Sequence, residues 1–203
     1  VAAQGGNRLK GMHLMFVRRM LSPTILLATL VVTAGPARGQ TMQLSGSGTV
    51  AYQLVHKFHT IVGTSKTMAV RGRVDASGLK VMARAPVSSF DSDNANRDEH
   101  MMEAVEGAKF PWVVVRAALP GYKLPTAAGK TKITVQGGVE LHGVTVNHPI
   151  DLNLETKDGV HFQVSFQFPE SLTAHKIERP SLLFVPVDDS ITIKGKAVVT
   201  AKE

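Results

Sequence analysis

Three observations predict an all-β protein, an antiparallel barrel of about eight strands with a short helical crossover near its mouth. Apolar and polar residues alternate with period two through most of residues 49–200. Tight-turn signals such as Asp75-Ala-Ser-Gly78 and Lys157-Asp-Gly159 separate the alternating runs. The alternation stops for long at a single stretch, Ser88–Trp112. Half-buried alternation with short turns fits a sandwich or a closed barrel, and its evenness, with one helical crossover, favours the barrel. A barrel of about eight strands is either filled by its own side chains or holds one small ligand.

In chain order, Gln43–Gly48 reads as a small polar leader into a first strand over Thr49–Phe58, with Tyr52, Leu54, His56 and Phe58 on one face. His59–Ser65 reads as a turn, and Thr67–Val74 and Leu79–Val87 as a hairpin pair. After the crossover, strands are expected at Trp112–Leu119, Lys130–His142, Val144–Glu155 and Val160–Phe168. The Lys130–His142 run is regular, with Ile133, Val135, Gly137, Val139 and Leu141 in one phase. Ser171–Ile177 is expected to form a short helical turn, and Pro186 keeps Leu182–Val185 short. Ser190–Thr200 closes the set, and Gly72, Gly137 and Gly195 on inward phases relieve crowding or leave space for a ligand.

Inside the crossover, a polar turn (Asp91–Asn96) precedes a short helix expected over Arg97–Val105. Met101, Met102 and Val105 fall at helical spacing and can lay an apolar lid over the mouth, with Arg97, Asp98 and His100 in the same turn to hold it.

The chain has 203 residues and no cysteine, which excludes disulfides, thiolate metal sites and cysteine nucleophiles. Residues 1–39 read as upstream residues plus a secretory signal peptide. A basic segment begins at Met15, an apolar run covers Leu21–Ala34, and Ala37-Arg-Gly39 supplies the small residues of a cleavage site before Gln40. The apolar run falls short of the ~20 residues a spanning helix needs. Residues 40–203 form one domain with no transmembrane segment. The net charge of +7 belongs largely to the leader, which carries five basic residues and no acid, and residues 40–203 hold 18 basic against 16 acidic residues. With no basic run interleaved with aromatics, nothing points to nucleic acid.

Two motifs carry a family likeness. Ser88-Ser-Phe-Asp-Ser-Asp-Asn-Ala-Asn-Arg-Asp-Glu-His-Met with Lys109-Phe-Pro-Trp, and Val135-Gln-Gly-Gly-Val-Glu-Leu-His-Gly-Val-Thr, resemble the signature of the YceI-like family. Glu178-Arg-Pro-Ser-Leu-Leu-Phe-Val-Pro-Val is similar to its closing strands. The resemblance spans roughly residues 49–201. It departs at Val55-His-Lys-Phe-His, where the opening strand looks short, and at Arg179-Pro-Ser-Leu-Leu-Phe, where the family has Arg-x-x-Phe-Gly. It implies a lipocalin-like barrel exported to the periplasm through the cleaved leader. The expected ligand is a polyisoprenoid, a quinone or a similar long-chain amphiphile held in an apolar tunnel, with no cofactor and no catalytic residues to carry over.

On that reading the wall of the tunnel is expected from Val81, Ala83, Phe90, Phe110, Trp112, Val114, Val139, Leu141, Phe162, Val164 and Phe166, capped by Met101, Met102 and Val105. Arg97, His100 and His142 are the polar candidates for a headgroup. Core packing alone accounts for the same alternation, so a filled-barrel stress, structural or interaction protein is the rival reading. The histidines show no metal-ligand spacing, and no hydrolase elbow, phosphate loop or zinc-protease motif occurs, so neither a metal site nor an enzyme is expected. Monomer and homodimer fit the pattern equally.

Overall fold

The computed structural model of the chain describes residues 41–56, 59–182 and 185–203. The leader expected over residues 1–39 and the strand position assigned to Phe58 lie outside these residues. Among the described residues ten strands and one α-helix follow in chain order: β1 (Met42–His56), β2 (His59–Asp75), β3 (Gly78–Pro86), α1 (Ala95–Ala104), β4 (Trp112–Pro120), β5 (Gly129–Leu141), β6 (Val144–Thr156), β7 (His161–Ser171), β8 (Ser181–Leu182), β9 (Val185–Pro186) and β10 (Ser190–Lys202). Eight of them close a barrel in the order β1-β10-β7-β6-β5-β4-β3-β2, and β8 with β9 forms a separate two-stranded ladder. Every barrel neighbour is antiparallel.

Several boundaries differ from the sequence expectation: α1 starts two residues earlier than Arg97, β7 runs on through Pro169 to Ser171, and the largest differences are in β1 and β2. β1 begins at Met42, because Ser45, Gly46, Ser47 and Gly48 pair with β10 as well as β2. A Cβ at Gly46 or Gly48 would collide with the β10 backbone, so the small residues mark a close approach of strands, not a leader. His59–Ser65 is strand, not turn. A bulge in β2 opposite Gly48/Val50 interrupts the alternation there, which hides the continuity of the strand in the sequence.

The β5–β6 hairpin turns on two residues, His142 (φ 53°) and Gly143 (φ 71°), the positive-φ pair a two-residue turn requires. Inside the barrel, glycines sit under aromatic rings. Gly195 faces Phe166 across β10 and β7, and a Cβ there would run into the ring. Gly63 receives the Tyr52 ring in the same way.

The crossover is stitched to β2 and to itself. Thr64 and Asp91 exchange backbone hydrogen bonds of 2.8 and 3.1 Å, and the Ser65 and Ser89 hydroxyls meet at 2.7 Å. The Asn94 side chain caps α1 by accepting from the Arg97 N–H at 3.0 Å. Buried Ser92 then binds the next two helical side chains. Its hydroxyl donates to Asp98 Oδ1 at 2.5 Å and accepts from Arg97 Nε at 2.8 Å, and the Arg97 guanidinium also donates to the Ser92 carbonyl. Phe90 packs inward against Tyr52, ring centroids 5.7 Å apart.

Candidate functional site: an apolar cavity with a charged rim

A cavity of about 1300 Å³ runs inside the barrel. Its walls are the inward rows of the strands: Val81 and Ala83 from β3, Val139 and Leu141 from β5, and Phe162, Val164 and Phe166 from β7, with Phe90 from the crossover. Alternation builds this surface, since every second residue of each strand faces the same side. At one end α1 lies over the opening and contributes Arg97, His100 and Met101, followed by Val105. Opposite it, the β7–β10 connection contributes Lys176, Glu178 and Arg179, and His142 comes from the β5–β6 turn. At the other end, Tyr122 and Leu124 of the β4–β5 connection pack against the core. Burial pushes the Tyr122 phenol up, and among the described residues its hydroxyl has no hydrogen-bond partner.

Four expected wall or lid residues lie away from the cavity. Val113, Val115 and Ala117 are the lining phase of β4, which turns Trp112 and Val114 to the outer face. Trp112 is 41% exposed, with the Arg84 guanidinium 4.5 Å above its ring. The run Val113-Val114-Val115 is apolar in both phases, so periodicity cannot choose between them. Phe110 covers the β5–β6 turn from outside, edge-on to His142 with centroids 5.2 Å apart. Met102 packs toward Gly107 and Val87, not over the opening. Arg97 does border the cavity, but its hydrogen bonds go to Ser92, so it pins the crossover.

The rim holds a charged cluster that is not among the residues expected from the sequence. Glu170 continues the inward phase of Phe166 and Phe168 and borders the cavity, with its side chain 4% exposed. Its Oε2 lies 3.0 Å from His148 Nε2, and its Oε1 accepts from the Ser171 N–H at 3.1 Å. His175, 0% exposed, donates from Nδ1 to the Val144 carbonyl at 3.0 Å. Its Nε2 stands 3.2 Å from Glu170 Oε1, an ion pair in distance but too bent for a hydrogen bond. Burial disfavours both charges, but the pair overcomes it. Glu170 is held below the ordinary carboxylate range by His175, the Ser171 N–H and His148. His175 is raised above the ordinary imidazole value by Glu170 and by the carbonyls of Val144 and Leu141. His142 adds a second tie, donating from Nδ1 to the His175 carbonyl at 3.0 Å, with Nε2 3.3 Å from Glu106 Oε1. The cluster thus joins the β7–β10 connection, the β5–β6 turn and Glu106, two residues past α1. Glu170 and His148 sit on inward phases of their strands, the one signal in the sequence that could have found them.

A closed, untethered-edge-free antiparallel barrel around an apolar cavity, with a helical crossover at one end, is a lipocalin-like barrel. The chain belongs to the YceI-like domain family, whose model matches residues 39–199. Solved structures share the fold. A polyisoprenoid binding domain from Saccharophagus degradans is 12% identical with a TM-score of 0.64, covering 79% of this chain and 98% of that one. BcnA from Burkholderia cenocepacia is 15% identical with a TM-score of 0.60, covering 74% and 95%. The YceI protein of Campylobacter jejuni is 16% identical with a TM-score of 0.55, covering 73% and 89%. Comparison with curated protein sequences returned no match.

Proposed function

We propose that this protein is a binding protein, not an enzyme, that holds a polyisoprenoid, quinone or similar long-chain amphiphile inside the barrel, after export to the periplasm through a leader in residues 1–39. The observation that carries this reading is the apolar cavity of about 1300 Å³ with its charged groups confined to one end. That arrangement suits a ligand with a long apolar tail and one polar end. Each buried methylene contributes about 0.8 kcal/mol, so ten of them supply about 8 kcal/mol before the cost of association. No tail-specific hydrogen bond is needed. The polyisoprenoid binding domain with the same fold supports the choice of ligand class.

The test is native mass spectrometry of the barrel, residues 40–203, recovered from a bacterial host, before and after organic extraction, followed by addition of a prenyl alcohol or a long-chain quinone. The expected result is a mass removed by extraction and restored by one added amphiphile per chain. A bare chain mass that takes up neither compound overturns the reading and leaves a barrel that acts through its surface.

A further inference from the structure

The outer surface of the barrel divides by charge. Strands β10, β1, β2, β3 and β4, adjacent in the barrel, contain a single acid, Asp75, which is paired with Arg73 at 3.1 Å. On β5 and β6 the cations face acids on the neighbouring strand, with Lys130 3.3 Å from Glu155 and Lys132 2.6 Å from Asp151. The register of the first group aligns its cations. Lys202, Gln43, Arg73 and Lys80 form one row across β10, β1, β2 and β3. The next row runs Ser45, Arg71, Met82 and Arg116 across β1, β2, β3 and β4, and at its edge Arg116 is paired with Glu140 of β5 at 2.5 Å. Arg73 and Lys80 stand directly opposite each other, an arrangement that weakens a sheet by like-charge repulsion. Among the described residues no ion pair engages Arg71, Lys80 or Arg84. Beside Arg84, the exposed Trp112 ring stands at the end of β4 nearest the cavity mouth.

We propose that this face docks the barrel on a bilayer surface that carries anionic phospholipids. The cations supply charge complementarity, which is strongest close to such a surface and falls off within a Debye length. Trp112 supplies the amphipathic ring that favours the headgroup level. The face is a broad strand surface, with one exposed tryptophan at its end and no series of aromatic platforms on which the bases of a single strand would stack. The assignment is independent of what fills the barrel.

The test is co-sedimentation of residues 40–203, which hold all eight barrel strands and lie within the compact unit Arg38–Glu203, with vesicles of phosphatidylcholine alone or mixed with phosphatidylglycerol. Binding is expected only to the mixed vesicles and is lost in high salt. Arg71→Gln with Lys80→Gln lowers it on the order of 25-fold, from about fivefold per cation, and Lys202→Gln alone about fivefold. Lys130→Gln with Lys132→Gln, on the acid-paired side, changes it little. Equal binding to both vesicles, indifference to salt, or double and single variants that bind like the parent overturn the proposal. So does retention by a soluble polyanion without vesicle binding. Amphiphile uptake measured without vesicles keeps the result separate from the fate of the binding reading.

Discussion

Replacing His175 by Ala is expected to cost the barrel more than a typical core truncation, because of what it leaves behind. His175 is fully buried and Glu170 nearly so. Without the imidazole, the Glu170 carboxylate keeps the Ser171 N–H and His148 but loses its most deeply buried partner. Removing one member of a buried pair costs about 3–5 kcal/mol. At about 2–4 °C per kcal/mol for a protein of this size, that lowers Tm by roughly 6–20 °C. Glu170→Gln combined with His175→Leu removes both charges and is expected to recover much of the loss, giving a double-mutant coupling well above about 1 kcal/mol. The pH dependence has a definite sign. The raised His175 pKa gives stability that is complete below its ordinary value of 6.5 and disappears as pH rises through the folded value. The lowered Glu170 pKa gives stability that is complete above 4.5 and disappears as pH falls through the folded value. The pair is therefore fully engaged between pH 4.5 and 6.5, and the parent loses stability above that window while the neutral double variant does not. Thermal unfolding gives the Tm shift, and urea unfolding across pH gives the coupling and the pH profile. A His175→Ala loss below about 1 kcal/mol, or a parent and double variant with superimposable pH profiles, would refute the reasoning.

Two further substitutions separate the crossover from the cavity. Ser92→Ala removes the hydroxyl that joins Arg97 to Asp98 and is expected to cost about 1–3 kcal/mol. Amide exchange should speed up over residues 91–98 while the β5–β6 amides keep their protection, and uniform acceleration would count against a local staple. Ala83 packs against the core and also lines the cavity, so Ala83→Trp directs an indole into the cavity. It is expected to abolish amphiphile uptake while lowering stability by less than the 1–3 kcal/mol typical of overpacking. Uptake that survives in a folded variant would show that the ligand binds elsewhere.

The sequence made some of this plain and concealed the rest for physical reasons. Lys130–His142 and Val160–Phe168 alternate cleanly because one side faces the cavity and the other faces water, and both appear as strands with the expected inward residues. The phase of β4 was hidden because Val114, although it points outward, is itself buried, so both of its faces are apolar. The bulge of β2 breaks its alternation, and the glycines of β1, whose role lies in strand approach, carry no apolar phase. The rim cluster joins Glu170 to His148 and His175 across the ends of separate strands, a proximity that only barrel closure creates. Arg97 and Asp98 were legible as a turn-holding pair, but the residue they share, Ser92, was not, because a lone serine carries no pattern.

The unbroken ring of eight strands has a consequence for traffic. A chain-shaped guest of the proposed kind would have no seam between strands through which to slip sideways and would have to pass lengthwise through an end. At the end under α1, the doorway is made from the crossover and the β7–β10 connection, while the wall that holds the guest is made from strands. Doorway groups that do not touch the bound guest bear on its rates alone, whereas the wall, and rim groups that meet its polar end, bear on affinity as well. Loosening the doorway at a group that makes no contact with the bound guest speeds arrival and departure by the same factor and leaves the equilibrium unchanged, whereas altering the wall changes the equilibrium.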